Sequence, residues 1–148
     1  MKKRRILVFI LVLAILTGIA AWNHLSSREE VAEGTLQMSF GEQTYLVKLD
    51  DLDYEQITGE RVNGKGEVRP VDGPGIALHA LLTQEKIEGY TKVTVISGDS
   101  YSAELTAEEV VEDGKACLLL EEGSLRLIVF GDENSKRSVS DVAQIVIE

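Results

Sequence analysis

Cysteine and histidine are scarce in this sequence, which contains one cysteine and two histidines. One cysteine cannot form an internal disulfide, and no other cysteine or histidine lies at metal-ligand spacing from Cys117. Cys117 stands in an apolar, strand-like run, so we expect a buried, unreactive thiol. His24 lies in a polar linker and His79 on the exposed side of a predicted helix, and neither has a partner that would make it a general base. The sequence therefore predicts no catalytic residue and no metal site.

Positive charge is also scarce beyond the N-terminus. After residue 23 there are 11 basic and 25 acidic residues, which gives a formal charge of −14. Such a surface disfavours nucleic acid as a partner and favours a basic one. No D-x-D-x-D-G calcium loop is present, and the NGKG run at residues 63–66 lacks the spacing of a P-loop. We expect acidic pairs such as Glu121 with Glu122 to be solvated turns.

One long apolar run, at residues 6–22, follows four cations in the first five residues. Eleven of its 17 residues are Ile, Leu, Val or Phe, a composition that favours insertion into a bilayer. The preceding cations predict a signal anchor over residues 1–22 with a cytoplasmic N-terminus, and a cleaved signal peptide is the alternative. Both interpretations place the remaining chain outside the cytoplasm, tethered to the cell membrane as a single-pass protein or secreted. Residues 23–34 are then a polar linker.

Residues 75–111 organise the domain that follows. They predict a short helix that buries Leu78, Leu81 and Leu82, then a β-hairpin over residues 91–96 and 101–105. A second helix begins where Thr106 and Glu109 have the spacing of a capping box. On its own the first helix is too short to persist in water, so its leucine face must dock on a sheet.

Further strands are predicted on both sides of this centre, at residues 35–40, 44–49, 116–120, 124–130 and 142–147. Residues 50–57 predict a short helix, residues 58–71 an irregular or hairpin segment, and residues 72–75 a turn before the leucine-bearing helix. The sequence therefore predicts an α+β domain over residues 35–148: a compact mixed β-sheet with two or three short helices.

Four segments of the second half resemble the molybdopterin-binding domain of sulfite-oxidase-like oxidoreductases. GIALHALL at residues 75–82 is similar to the family's G-[VI]-x-L-x-x-L-L helix, and SGDSYS at residues 97–102 to its S-x-D-G-Y-S hairpin. SLRLIVFG at residues 124–131 is similar to P-L-R-L-x-V-P-G, and RSVSDVAQI at residues 137–145 to R-S-V-K-W-L-x-x-I. The segments occur in the family's order. The resemblance implies the same fold for this domain, with a shortened N-terminal half.

Departures from the family pattern affect the function that the resemblance implies. Family members hold molybdenum through a cysteine thiolate in an earlier part of the domain, and this chain has no cysteine before Cys117. Ser140 and Asp141 replace the lysine and tryptophan of a segment that helps to hold the pterin. The resemblance therefore implies a membrane-tethered binding module without molybdenum catalysis and without a bound cofactor.

The preferred interpretation is that this module recognises a small ligand or an envelope protein, with Asp99 and Tyr101 of the hairpin loop as ligand-binding residues. A pterin-binding oxidoreductase or electron-transfer subunit is a second possibility, in which Arg126, Lys136 and Arg137 would hold a molybdopterin. A structural anchor that docks other envelope proteins is a third.

Overall fold

The computed structural model describes residues 33–148 and four residues of the leader, Val8, Ile10, Ala14 and Ile15, which are helical. The chain divides into two units, Met1–Glu30 and Val31–Glu148. No helix among the described residues is long and apolar enough to cross a membrane. Apart from those four residues, the signal anchor predicted over residues 1–22 lies outside the described part of the chain, as does most of the linker over residues 23–34. Both stay predictions.

The second unit forms nine strands and two α-helices within residues 33–148, as a sheet-rich α+β domain. The strands are β1 (Thr35–Phe40), β2 (Gln43–Lys48), β3 (Glu55–Val62), β4 (Val68–Ala77), β5 (Lys92–Ser97), β6 (Ser102–Thr106), β7 (Ala116–Glu121), β8 (Ser124–Val129) and β9 (Val142–Ile147). The helices are α1 (Leu78–Gln84) and α2 (Ala107–Val111), and a 3-10 turn occupies Leu49–Asp51.

Two sheets contain these strands. The first has the order β2-β1-β9-β5-β6, and the second has the order β3-β4-β7-β8. β1 and β9 pair in parallel, whereas the other neighbouring strands are antiparallel. The first strand and the last strand of the domain are therefore neighbours, so the C-terminal apolar run is an interior strand, as predicted.

One apolar core is shared by both sheets and by α1. Leu78, Leu81 and Leu82 of α1 are fully buried in it, because positions three and four apart share one side of a helix. Strands contribute every second side chain, for example Val93 and Val95 of β5, while the intervening residues face outward. The predicted leucine face of α1 is confirmed.

A smaller apolar cluster lies on the opposite face of the second sheet. Its members are Ile57, Val71, Cys117, Leu119 and Ile128, with Ala77 and Phe130 packed against them. β4 pairs with β7 only over its last residues, from Gly75 to Ala77, whereas it pairs with β3 over the whole length of that strand. The long β3–β4 hairpin therefore extends beyond β7 and contributes to this second cluster.

Two predictions for the first half of the domain are wrong. Residues 72–75 are not a turn, because they belong to β4 and pair with β3. Residues 50–57 are not a helix, since the 3-10 turn ends at Asp51 and β3 begins at Glu55. Both errors have one cause: pairing with a distant strand outweighs local propensity. The hairpin alternative for residues 58–71 is confirmed.

Candidate functional site

Two adjoining clefts open where several turns of the domain meet. One has a volume of about 640 Å³ and the other about 480 Å³. Glu122, Ser124 and Asp141 line both, so the clefts are continuous. We call this site the acidic cleft. Its charged and turn residues are Glu33, Gly98, Glu121, Glu122, Arg126 and Asp141. Each of the two volumes lies in the usual range for small-molecule sites, about 300–1,000 Å³.

The β7–β8 turn places Glu122 at the cleft. Glu121 pairs with Ser124, so Glu122 and Gly123 are the two turn residues, with φ of 49° and 82°. Tight hairpins of this length favour positive φ at both positions, because that geometry matches the right-handed twist of the strands. Glutamate is uncommon in this conformation, so the turn holds the Glu122 carboxylate at the cost of some backbone strain.

The segment before β9 places Asp141 opposite this turn. Its φ is 50°, and its carbonyl accepts a hydrogen bond of 3.0 Å from the Gly98 N–H of the β5–β6 turn. A Cβ at Gly98 would lie 3.1 Å from Asp141 Oδ2. The lack of a side chain at Gly98 therefore permits the close approach of the Asp141 carboxylate to the hairpin turn.

Negative charge dominates the acidic cleft. Four carboxylates line it, those of Glu33, Glu121, Glu122 and Asp141, against the single guanidinium of Arg126. Arg126 Nε donates to Glu121 Oε2 at 2.7 Å, so this cation is already paired. Glu33, Glu122 and Asp141 form no ion pair within the described part of the chain. Carboxylates that converge on a concave surface attract cations, because the low-dielectric walls concentrate their field.

The hairpin loop next to the acidic cleft contains the two predicted ligand-binding residues. The buried Ser97 Oγ donates to Asp99 Oδ1, and the Tyr101 N–H donates to the same oxygen at 3.1 Å. These two hydrogen bonds, from Ser97 first and then Tyr101, lower the pKa of Asp99 below its ordinary value. The Asp99 carboxylate therefore stabilises the turn through the hydrogen bonds that Oδ1 accepts. The Tyr101 hydroxyl donates to the Lys136 carbonyl, so the structure brings Asp99, Tyr101 and Lys136 together.

Arg137 is held at a different place, between the loop after β8 and the first turn of α2. Its Nε and Nη2 donate to Asp132 at 2.9 and 2.6 Å, and its Nη1 donates to Glu109 Oε1 at 2.8 Å. The pKa of Arg137 is raised, chiefly by its hydrogen bonds with Asp132, even though partial burial acts in the opposite direction. Two carboxylates thus offset the charge of this guanidinium.

The three predicted cofactor-binding cations do not share one cleft. Arg126 lines the acidic cleft, whose lining includes neither Lys136 nor Arg137. Lys136 is exposed and forms no ion pair in residues 33–148, whereas Arg126 and Arg137 are both paired with carboxylates. The carboxylates beside the two arginines offset the positive charge that would attract an anionic pterin phosphate.

Cys117 is a poor metal ligand in this fold. It is only 2% exposed, and burial, followed by the charges of Glu55 and Asp113, raises the pKa of its thiol to about 11. Metals are held by thiolates, so the thiol would have to lose its proton against this shift. The described residues contain no group of three His, Cys, Asp or Glu side chains arranged to hold a metal.

Sequence reasoning missed Gly98, Glu122 and Asp141 as parts of one site. Their positions lie on three separate turns, and only the pairing of β5 with β9 and of β7 with β8 determines where those turns stand. In the sequence alone, Glu122 is one member of an acidic pair, and Asp141 is a departure from the family motif. No periodic pattern connects the two.

Comparisons with known proteins add no further assignment. No protein-family model matches the chain, and no curated protein matches it.

Proposed function

We propose that the chain is a membrane-tethered binding module, held outside the cytoplasm, whose acidic cleft binds a cationic group. The ligand class is an amine or guanidinium, carried by a small molecule or by a Lys- or Arg-bearing segment of an envelope protein. In this proposal the domain is a shortened relative of the sulfite-oxidase molybdopterin-binding domain that performs no molybdenum chemistry.

The charge of the acidic cleft supports the ligand class. Three of its four carboxylates, those of Glu33, Glu122 and Asp141, form no ion pair in the described residues. A bound ammonium or guanidinium would form charge-assisted hydrogen bonds with them, and these bonds are stronger than those between neutral groups. A phosphate or sulfate in the same position would be repelled.

The ion pairs of the two arginines favour a binding module over a pterin-dependent enzyme. A pterin cofactor is anionic, and the charges of Arg126 and Arg137 are already offset by Glu121, Asp132 and Glu109. Lys136 is exposed and offers a point charge without the planar fork of an arginine. This observation favours the binding module over the pterin-binding oxidoreductase.

The location rests on the leader sequence. Residues 1–5 include four cations, and residues 6–22 carry no charge. This order is typical of a signal anchor that leaves the following domain outside the cytoplasm. Tethering would keep the acidic cleft near other envelope proteins, and it raises their effective concentration at the site.

A titration with a fluorescein-labelled hexalysine peptide tests the proposed cleft. The full-length chain in a neutral detergent is compared with the double variant Glu122→Gln, Asp141→Asn by fluorescence anisotropy. Asparagine tolerates the positive φ of residue 141, so the backbone is preserved. We expect the double variant to weaken binding about tenfold, since it removes two unpaired charges from the site.

The matched control is the double variant Asp53→Asn, Glu60→Gln, which removes the same two charges from exposed positions elsewhere. We expect this variant to bind the peptide within about twofold of the native chain. Equal losses in both variants would mean that only net charge attracts the peptide, and the proposed cleft would be wrong. A native chain that does not bind the peptide at low salt would also contradict the proposal.

A further inference from the structure

The two sheets have four edge strands in the described part of the chain, and three of them are protected. β3 carries Glu55, Glu60 and Arg61 along its length. The edge of β8 is covered where the Leu127 N–H donates to the Val139 carbonyl at 2.8 Å. β6 is five residues long and has Glu104 at its centre. Charge, coverage and shortness are the usual devices that prevent a sheet edge from pairing with another chain.

β2 lacks these protections. Its sequence, QTYLVK, has no proline and no charge before the final Lys48, and its pairing with β1 shows no bulge. Leu46, near the middle of the strand, is 68% exposed, which is the highest value among the large apolar side chains of residues 33–148. A flat, uncharged edge with an exposed leucine is a template for another strand.

The register of β1 and β2 shows which backbone groups are free. Gly41 and Glu42 form a two-residue turn between the paired Phe40 and Gln43, so Gln43, Tyr45 and Val47 exchange hydrogen bonds with β1. The Leu49 N–H, which donates to the Gly34 carbonyl at 2.9 Å, continues this alternation. The N–H and C=O groups of Thr44 and Leu46 therefore point away from the sheet.

We propose that β2 pairs antiparallel with β2 of a second copy of this chain, which joins the two five-stranded sheets across a two-fold axis. In the register that places Tyr45 opposite Tyr45 of the second copy, Thr44 faces Leu46 of the second copy, and their free backbone groups meet. The same register places Glu42 opposite Lys48 of the second copy. The two-fold axis repeats every contact.

Charge selects this register and this occupant. Shifting the pairing so that Leu46 faces Leu46 of the second copy would bring Glu42 towards Asp50 of that copy, and like charges opposite each other are unfavourable. The proposed register instead forms two Glu42–Lys48 pairs. The described residues are strongly acidic overall, so two copies that approach through most other surfaces would repel each other.

Sedimentation velocity of the full-length chain in a neutral detergent tests this pairing. We expect the native chain to dimerise at about 100 µM. Leu46→Lys and Glu42→Lys should each weaken the dimer by at least about tenfold, because each places unfavourable charge at the shared edge. The double variant Glu42→Lys, Lys48→Glu restores opposite charges in the same register and should recover the native affinity within about threefold.

Val68→Lys is the matched control, because Val68 is 60% exposed and lies on β4, which belongs to the other sheet. This variant should dimerise like the native chain. A native chain that stays monomeric would overturn the proposal and leave the β2 edge to a strand of another protein. A dimer that survives Leu46→Lys, or that is lost equally in Val68→Lys, would overturn it as well.

Disulfide cross-linking tests the register separately. In a Cys117→Ala background, Thr44→Cys and Leu46→Cys chains are oxidised alone and as a mixture. The mixture should form more covalent dimer than either variant alone, because opposite Cα atoms in an antiparallel pair lie about 5.5 Å apart, within disulfide range. Equal or absent cross-linking in all three samples would contradict the proposed register.

Discussion

At Gly75, β4 lies close to the backbone of β7. A Cβ at this position would lie 2.6 Å from the Leu118 carbonyl oxygen and 2.9 Å from Ile57 Cγ1. The carbonyl belongs to a sheet and cannot move aside without loss of its pairing. Gly75→Ala should therefore lower the free energy of unfolding by about 2–4 kcal/mol, as measured by urea denaturation.

Gly64→Ala provides the comparison, because its Cβ would meet nothing closer than Ser135 Oγ at 3.9 Å. This substitution should change the free energy of unfolding by less than about 0.5 kcal/mol. Similar losses in the two variants would show that the β4–β7 contact is not as close as described.

The thiol of Cys117 should be inert in the folded protein. Burial raises its pKa to about 11, so almost no thiolate exists near neutral pH, and thiol reagents should modify it only after unfolding. Cys117→Ala should cost about 1 kcal/mol of unfolding free energy through a small cavity, without loss of peptide binding. Rapid modification of the native protein, or loss of binding without loss of stability, would contradict this assignment.

At the scale of elements, α2 and the loop after β8 are held together by the carboxylate of Glu109. Thr106 and Glu109 form the predicted capping box at the start of α2, and Arg137 donates to the same glutamate. Burial acts to raise the pKa of Glu109, but the hydrogen bonds of Thr106 and Arg137, with the charges of Arg137 and Lys115, lower it below its ordinary value of 4.5.

Because folding lowers the pKa of Glu109, the free energy of unfolding depends on pH. The unfolded chain takes up the proton first, so the contribution of Glu109 is present above about pH 4.5 and is lost as the pH falls through the lower value of the folded state. Glu109→Gln should therefore destabilise the protein most near neutral pH, and the difference from the native chain should shrink as the pH falls below 4.5.

Urea denaturation at several pH values measures this difference. Glu108→Gln serves as the control, because Glu108 is exposed and forms no ion pair in residues 33–148. Its effect on the unfolding free energy should be small near neutral pH. A Glu109→Gln difference that grows towards acid pH would contradict the assigned role of the carboxylate.

Elements with a strong local pattern were predictable from the sequence. β1 and β9 have the predicted bounds because every second side chain of β1 and most of β9 are apolar. The leucine face of α1 and the capping box of α2 follow from spacing alone. The sequence does not reveal the β3–β4 hairpin as two long strands, because residues 72–75 have the composition of a turn.

The two prolines are tolerated for a reason that only the pairing shows. Pro70 and Pro74 pair with β3 at Glu60 and Gln56, in the part of β4 that has no second neighbouring strand. A proline removes a backbone donor, which costs little on the free side of a strand. Local rules therefore misplace residues whose environment depends on distant pairing.

For the whole molecule, the sequence of residues 1–22 predicts a location at the cell membrane. The native chain should sediment with the membrane fraction and resist extraction by alkaline carbonate, since residues 6–22 carry no charge. Protease added to the outside of intact cells, with any outer barrier permeabilised, should degrade the domain. Recovery of the full-length chain from the cytosol would contradict both the anchored and the secreted interpretation.

The acidic cleft is also a property of the whole molecule. Glu33, Glu122 and Asp141 come from separate turns and meet only after two sheets have formed. The sequence predicts an acidic surface, but it does not show that these three carboxylates lie at one site. Conversely, it grouped Lys136 and Arg137 with Arg126, while the fold pairs both arginines with carboxylates.

We propose that this domain binds a ligand without molybdenum chemistry. Molybdenum and pterin analysis of the full-length chain, purified from a host that makes the cofactor, tests this claim. We expect far less than one molybdenum and one pterin per chain, in a preparation that binds the hexalysine peptide. Stoichiometric molybdenum with bound pterin would contradict the claim and would assign the domain to catalysis.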